Sequence, residues 1–332
     1  MRIIPVDPQR PDPDAIAEAA GAIREGNLVA FPTETVYGLG ANALSTLAVE
    51  RIFEAKGRPS TNPIIVHAHD IASAKSLVSQ WPDSADALAA AFWPGPLTLV
   101  LPKAARIPDV VTAGLSTVAV RVPAHPVALA LLEAAGLPIA APSANRSTEI
   151  SPTTAQHVRQ SLGDAAGLIL DAGPTDVGIE STVLGLWGPT AVLLRPGTLS
   201  IERLESIVGP IRRSFAEGGV NEPQRSPGLG ERHYAPKARV VLFKPAERPV
   251  ILNEVSRLLR AGRPVGALVP ASAPFPGIAS RPMPADPLGY ARVLYAELHA
   301  LDAAGCEVIF IEQVPEGSEW DGVRDRLRRA AH

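Results

Sequence analysis

The chain has a single cysteine, Cys306, among its 332 residues. One thiol excludes an intrachain disulfide and a zinc site built from several cysteines. No apolar run approaches the length of a membrane span, and the sequence contains no internal repeat. The first residues lack the apolar segment of a secretory signal, so we expect a cytoplasmic protein. Cys306 opens an apolar run, which predicts a buried structural thiol.

The motifs of two common enzyme classes are also missing. Without GxGxxG, nothing in the sequence supports a dinucleotide-binding loop. Without GxSxG, and without an obvious His/Asp pair for Ser143 or Ser181, a serine hydrolase is not supported. Most histidines have no carboxylate or cysteine at metal-ligand spacing, so the sequence assigns no metal ligand.

The chain has little excess charge of either sign, with a net charge of −3. Residues 1–209 hold 14 Lys and Arg against 20 Asp and Glu, whereas residues 237–332 hold 13 against 11. A domain that binds nucleic acid through its phosphates usually has a basic surplus. The first region is acidic and gathers its cations in a few loops, which favours a small anionic ligand over nucleic acid.

The composition is that of a globular protein, with 46% apolar residues and a mean hydropathy of +0.12. Residues 1–209 alternate short strand-like runs with helical stretches, which predicts an α/β fold with a partly mixed sheet. Residues 210–236 are rich in Gly, Pro and charge and are interpreted as a linker. Residues 237–332 again alternate strands and helices, like half of a doubly wound sheet.

Two polar segments near the N-terminus are the first candidates for ligand binding. Phe31 to Gly40 is interpreted as a polar, glycine-spaced turn, which could hold a small zwitterion or phosphate or only form local hydrogen bonds. The loop from Lys56 to Pro63 combines a lysine, an arginine and an asparagine between buried elements. Such a set suits a phosphate, and the alternative is an ordinary solvated loop.

Four further side chains have two readings each. His67 ends an apolar strand, and the sequence alone favours a core histidine. Arg121 lies within a strand, where it must bind an anion or form an internal ion pair. Ser151 is predicted to cap a helix that begins at the next residue or the one after, a position that also favours phosphate. Arg195, in a proline–glycine turn, suits a phosphate or carboxylate, or else is solvated.

Together, the order and spacing of these segments resemble the threonylcarbamoyl-adenylate synthases, whose N-terminal domain is of the YrdC type. The matching segments are FPTETVYGLG, KGRPSTNPIIVH, WPGPLTLVL, VAVRVP, APSANRS, GIESTVL and LLRPG. They cover most of residues 20–200, and the motif SPGLGERHYAP (Ser226 to Pro236) with the C-terminal unit resembles the longer, two-domain branch. The central pair of that motif departs from the family's usual one.

The resemblance implies a fold and a division of the chain. A YrdC-type catalytic domain with a twisted mixed α/β sheet would occupy residues 1–209. Residues 210–236 would form a linker that serves as an active-site lid, and residues 237–332 a smaller Rossmann-like α/β domain.

The resemblance also implies a nucleotidyltransferase reaction. L-Threonine and bicarbonate or CO2 would give N-carboxythreonine, whose carboxylate attacks the α-phosphate of ATP. The products would be L-threonylcarbamoyl-adenylate and pyrophosphate, with Mg²⁺ accompanying ATP. No protein nucleophile is needed, because the site has to position the reactants and neutralise charge. A partner threonylcarbamoyl-transferase would then modify tRNAs that read ANN codons, and we expect no direct tRNA binding by this chain.

Site residues follow from the resemblance by motif position. Those expected to line the threonine pocket are Thr35, His67, Arg121, Ala141 and Ser181. Those expected to hold ATP are Arg58, Asn62, Thr117, Ser143, Ser151, Arg195 and Tyr234. Lys56 and Arg58 are expected to neutralise the phosphates, and Tyr234 to close over the nucleotide and exclude water from a labile adenylate. This assignment places His67 in the binding site, whereas the sequence alone favours a core histidine. It leaves the metal ligands unassigned.

Two alternatives remain. The first is a YrdC-type protein that binds structured RNA through a basic face without adenylating activity, and the balance of −6 over residues 1–209 argues against it. The second is the related carbamoyl-adenylating module of hydrogenase-maturation carbamoyltransferases. Those proteins carry cysteine-rich zinc modules, which one cysteine cannot supply.

Overall fold

The computed structural model describes residues 1–214 and 234–331, which contain one large and one small β-sheet. The strands of the large sheet are β1 (Arg2–Pro5), β2 (Val29–Pro32), β3 (Tyr37–Asn42), β4 (Ile65–His67), β5 (Leu97–Pro102), β6 (Thr117–Arg121), β7 (Ile139–Ala140), β8 (Leu168–Asp171), β9 (Thr182–Gly185), β10 (Val192–Arg195) and β11 (Arg212–Arg213). The helices around it are α1 (Pro13–Arg24), α2 (Thr46–Lys56), α3 (Ile71–Lys75), α4 (Asp83–Phe92), α5 (Asp109–Thr112), α6 (Pro126–Ala135), α7 (Ala155–Leu162) and α8 (Ile201–Val208).

The large sheet is mixed, in the order β1-β8-β2-β3-β7-β4-β6-β5-β9-β10-β11. Parallel pairs such as β4 with β6 and β5 with β9 alternate with antiparallel pairs such as β5 with β6. Helices α1 and α6 enclose one apolar core against the sheet, and α2, α4, α7 and α8 contribute to a second. The α/β fold with a mixed sheet expected from the sequence is confirmed.

The hairpin of β2 and β3 corrects one expectation, because the segment from Phe31 to Gly40 is not a turn. Only residues 33–36 bend, and β3 continues the sheet beside β2. A Cβ at Gly40 would lie 2.7 Å from Cε1 of Phe31 and 2.8 Å from Cγ2 of Ile139. Glycine occurs here because the Phe31 ring packs across the strand, and not because the backbone turns.

Helix caps test the other local predictions. The Asp12 side chain caps α1 by accepting from the backbone N–H groups of Asp14 and Ala15. The prediction that Ser151 caps the following helix is wrong, because Thr154 is the cap and accepts from the backbone N–H of His157. The Ser151 hydroxyl instead donates to Oε1 of Glu180 at 2.5 Å. The Ser151 hydroxyl therefore binds Glu180, a residue distant in sequence, instead of the N-terminus of the helix that follows it.

The small sheet is parallel throughout, in the order β12-β15-β13-β14. Its elements are β12 (Arg239–Phe243), α9 (Arg248–Arg260), β13 (Val265–Pro270), β14 (Ala279–Met283), α10 (Pro287–Ala303), β15 (Val308–Glu312) and α11 (Asp321–Ala330). Strands linked by crossover helices confirm the smaller Rossmann-like unit. Cys306 is a buried free thiol, as predicted. None of the helices within residues 1–214 and 234–331 is long and apolar enough to cross a membrane.

The helices of the small unit pack on loops of the large one with almost no space between their backbones. A Cβ at Gly322, in α11, would lie 2.3 Å from the carbonyl oxygen of Gly197, just after β10. A Cβ at Gly178 would lie 2.4 Å from the carbonyl oxygen of Ala291, in α10. The two glycine contacts bring α10 and α11 against the loops that flank β9 and β10.

Candidate functional site

A cavity of about 50 Å³ lies where several strands of the large sheet end. Most of the residues that the sequence nominates line it. These are Thr35, Arg58, His67, Arg121, Ala141, Ser143, Ser181, Arg195 and Tyr234. They come from segments spread over some 200 residues, as expected for polar groups that converge at the ends of strands.

The remaining nominated residues do not line the cavity. Lys56 donates to the backbone oxygen of Ser143 at 2.5 Å, and the backbone oxygen of Asn62 accepts from Arg58 Nε at 3.1 Å. Ser151 reaches the lining through Glu180. Thr117 stands at the start of β6, whereas the lining residue of that strand, Arg121, is at its end.

One end of the cavity is built around Arg121. Its Nε donates to the Gly95 oxygen at 3.1 Å, and its Nη1 donates to Oγ1 of Thr35 at 3.2 Å. Its Nη2 lies 2.7 Å from Oε1 of Glu34, an ion pair that falls outside hydrogen-bond geometry. The internal ion pair considered for this arginine is therefore present. Because the Arg121 side chain also borders the cavity, it can bind a carboxylate as well.

His67 is buried beside Arg121 at the end of β4. Its ring meets the Phe31 ring edge-on, with 6.3 Å between the centroids. Burial, and then the charge of Arg121, lower the pKa of His67 to about 3. Within residues 1–214 and 234–331, its Nδ1 has no hydrogen-bond partner. A neutral imidazole with an unused nitrogen on a cavity wall suits contact with a polar ligand.

The other end of the cavity carries two more arginines. Arg58 is held by its Nε on the Asn62 oxygen and by its Nη2 on the Pro63 oxygen at 2.8 Å. Burial, with a smaller contribution from Arg195, lowers the pKa of Arg58 to about 10, so the guanidinium remains charged at neutral pH. Nε and Nη2 of Arg195 donate to the Ser181 oxygen at 3.2 and 3.1 Å. Two buried cations held by backbone oxygens make this end suitable for phosphate.

Lys56 is a buried lysine at the end of α2. Its ammonium donates to the backbone oxygens of Ser143 and Asn145, which lie on the loop after β7. Burial, and then the charge of Arg58, lower the pKa of Lys56 well below its ordinary value. Lys56 is therefore not part of a solvated loop, which was the alternative considered for this segment. Its ammonium fixes the loop that carries Ser143.

Sequence reasoning missed the charge network behind the cavity. Glu180 lines the cavity, and its Oε2 accepts from Arg326 Nε at 2.7 Å and from the Tyr295 hydroxyl at 3.1 Å. Burial would raise the pKa of Glu180, but Arg326 and Arg195 hold it below its ordinary value. Arg326 and Tyr295 lie in α11 and α10, more than a hundred residues further along the chain. Arg326 also pairs with its neighbour Asp325 at 2.8 Å, but the sequence carries no signal that this one of several C-terminal arginines faces inward.

The cavity offers little to a metal ion held by the protein. Across the described ranges, no group of three His, Cys, Asp or Glu residues could hold one. Of the two carboxylates nearest the cavity, Glu34 pairs with Arg121 and accepts from the Ala124 N–H, and Glu180 is bonded as above. The residues therefore do not fit a resident metal site. A magnesium ion would have to arrive on the phosphates of its substrate.

Comparison with known proteins places this geometry in a family. The Sua5, YciO and YrdC family model, described as "Telomere recombination", matches residues 21–197. The model described as "Threonylcarbamoyl-AMP synthase, C-terminal domain" matches residues 199–332. Two curated proteins named threonylcarbamoyl-AMP synthase align over nearly the whole chain. That of Pyrococcus abyssi is 46% identical over 94% of this chain and 93% of its own, and that of Bacillus subtilis is 43% identical over 95% and 92%.

Solved structures show the same fold. The crystal structure of P. abyssi Sua5 complexed with L-threonine superposes with a TM-score of 0.94 and 44% identity, over 100% of this chain and 98% of that one. The E. coli YciO structure, at 24% identity and a TM-score of 0.56 over 61% of this chain, shares the fold. With both family models matched and the full length aligned, the chain belongs to the threonylcarbamoyl-AMP synthase family.

Proposed function

We propose that this protein converts L-threonine, bicarbonate or CO2, and ATP into threonylcarbamoyl-AMP and pyrophosphate. The observation that carries the proposal is a cavity lined by three buried arginines, which form two sets by their hydrogen-bond partners. Arg121, beside Thr35 and His67, suits the carboxylate of an amino acid. Arg58 and Arg195, beside Ser143, suit the phosphates of a nucleotide. Threonine and ATP bound in this way would meet inside one enclosure.

The chemistry asked of these residues is positioning and charge neutralisation. The carboxylate of N-carboxythreonine forms a bond to the α-phosphorus of ATP, and the bond to the pyrophosphate oxygen breaks. Arg58 and Arg195 would stabilise the negative charge on the phosphates. Lys56 would fix the Ser143 loop from behind, through its contacts to backbone oxygens. No side chain has to act as a nucleophile.

We further propose that ATP enters as its magnesium complex, with ligands from the phosphates and water. Asn62, Ser151 and Thr117 stay predictions as ATP-binding residues. The carboxamide oxygen Oδ1 of Asn62 meets no partner within the described residues, which supports a role for it. The proposed lid lies mostly in residues 215–233, outside the described part of the chain, and Tyr234 at its end borders the cavity.

In the cell, the product would pass to a threonylcarbamoyl-transferase that modifies tRNAs reading ANN codons, in the cytoplasm. Pyrophosphate release by the purified protein tests the central step. We expect release only when ATP, threonine and bicarbonate are all present. Equal release with serine, or with no amino acid, would refute the substrate assignment. Release without bicarbonate, in degassed buffer, would refute the carboxylation step.

A further inference from the structure

The side chain of Arg326 is completely buried, yet it belongs to the last helix of the small unit. Its guanidinium reaches across to the large unit. Nε contacts Oε2 of Glu180 at 2.7 Å, Nη1 contacts the Pro196 oxygen at 2.9 Å, and Nη2 contacts the Glu180 backbone oxygen at 3.3 Å. Its neighbour Asp325 supplies a second anion at 2.8 Å. The Gly322–Gly197 backbone contact brings α11 close enough for all of these bonds.

Glu180 makes this arrangement more than a packing contact. It is a buried carboxylate on the wall of a cavity whose arginines are proposed to bind phosphates. An uncompensated negative charge at that position would repel the phosphates and compete for Arg195 and Arg58. Arg326 does not line the cavity, but it neutralises Glu180 from behind.

The same arginine faces Tyr234. Its guanidinium carbon lies 5.1 Å from the centre of the Tyr234 ring, and the ring of Tyr295 stacks on Tyr234 with 5.8 Å between centroids. Tyr234 has a left-handed backbone, with a φ of 61°, which a tyrosine adopts only when its surroundings hold it there. The backbone N–H of the next residue, Ala235, donates to the Thr148 oxygen at 3.0 Å. Side chains of α10 and α11 thus hold the ring that borders the cavity.

We propose that Arg326 is a positioning residue for ATP: from the C-terminal unit it neutralises Glu180 and holds Tyr234, so that the nucleotide end of the cavity is complete only with α11 in place. The inference rests on the proposed function, since it concerns the same ATP. It predicts that loss of Arg326 acts on ATP and leaves threonine binding nearly unchanged. Arg326 makes no direct contact with Arg121 or Thr35 of the threonine end, and it approaches Ser181 only through the backbone oxygen of Glu180.

The test compares Arg326→Gln, Glu180→Gln and the double variant. Dissociation constants for ATP and for threonine are measured separately by calorimetry, and pyrophosphate release gives KM for each. We expect Arg326→Gln to weaken ATP binding by about tenfold or more, because an unneutralised carboxylate then faces the phosphates. Threonine binding should change less than about threefold. The double variant also lacks the carboxylate of Glu180. Its affinity for ATP should therefore be restored to within about threefold of the affinity of the Glu180→Gln single variant.

Arg324→Gln is the matched control. It lies in the same helix and pairs with Asp321 near the surface, away from Glu180. The melting temperature of every variant is recorded, and binding constants are compared at a temperature where all are folded. Arg326→Lys restores the charge without the planar fork and should give an intermediate ATP affinity.

Three results overturn the inference: unchanged ATP affinity in Arg326→Gln, an equal loss for threonine and ATP, or no rescue in the double variant. The last two would mean that Arg326 only holds the units together. Failure of the proposed function would look different. Wild-type protein would then release no pyrophosphate under any condition, while its ATP affinity could still be compared with that of the variants.

Discussion

Arg58 offers the sharpest quantitative test of the ATP end, because two of its five N–H groups are bonded within the protein and fix the guanidinium. Nε and Nη2 are bound to the backbone oxygens of Asn62 and Pro63. In the described part of the chain Nη1 meets no acceptor, and the side chain borders the cavity. Both N–H groups of Nη1, the second N–H of Nη2 and the charge are therefore left for a phosphate, while the two bonds to backbone oxygens hold the guanidinium in place.

The size of the effect is worked out for a single hydrogen bond from Arg58 to a phosphate oxygen. A hydrogen bond to a charged group contributes about 1.5–3 kcal/mol, which corresponds to about 12- to 160-fold in affinity. Arg58→Ala should therefore raise the dissociation constant for ATP by that factor. Arg58→Lys keeps the charge but lacks the planar fork that can bond to the backbone oxygens and to a phosphate at the same time, so we expect a smaller loss, of about tenfold.

The assay is ATP binding by calorimetry without threonine, followed by KM for ATP and for threonine from pyrophosphate release. Arg51→Ala is the control, since Arg51 is an exposed cation on the preceding helix that bonds to Gly26 and Asn27. We expect threonine binding to be unchanged in all three variants. An Arg58→Ala protein with wild-type affinity for ATP, or with a defect in threonine binding alone, would refute the reasoning.

Three further predictions concern the threonine end and the core. Burial lowers the pKa of His67 to about 3, whereas the pKa in the unfolded chain is near 6.5. The contribution of His67 to folding stability is therefore complete above about pH 6.5 and is lost as the pH falls. By pH 4.5 the free energy of unfolding, measured with urea, should have fallen by about 2–3 kcal/mol, and by less in His67→Gln. A His67 ring proton that titrates near pH 6.5 by NMR would contradict this. Glu34→Gln leaves Arg121 buried without its ion pair, so the free energy of unfolding of the ligand-free protein should fall by about 3–5 kcal/mol. Threonine should then raise the melting temperature of this variant more than that of wild type. An equal rise would count against binding of the threonine carboxylate by Arg121. Gly40→Ala should cost about 1–3 kcal/mol by overpacking, whereas Gly188→Ala, with open space around it, should cost less than about 0.5 kcal/mol; equal losses would contradict the close contact at Gly40.

Elements whose signals are local are predictable from the sequence. Helix α6 carries both of its boundary signals in the sequence, because a proline opens it at 126 and Gly136 closes it in the left-handed conformation. Strand β3 is missed because two glycines in alternation read as a turn, whereas the actual cause is the Phe31 ring on the facing strand. When a glycine is required by the close packing of a residue from another strand, the sequence around the glycine does not reveal that residue.

The candidate site divides in the same way. Residues such as Arg58 and Arg121 can be nominated because they lie in motifs at the ends of predicted strands, and they do meet at one cavity. Arg326 cannot be nominated from its surroundings, because several arginines near the C-terminus read as a solvated basic helix. Only the three-dimensional fold shows that this arginine is turned inward, onto a carboxylate 146 residues earlier in the chain.

The ion pair between Glu180 and Arg326 also constrains how such chains can change over evolutionary time. A chain that lost its C-terminal unit would leave a bare carboxylate beside its phosphate-binding arginines. It could keep its reaction only by replacing the glutamate with a neutral residue or by gaining a cation from elsewhere. Positions 180 and 326 should therefore vary together among two-domain relatives. In relatives that have the first domain alone, position 180 should no longer need to be an acidic residue.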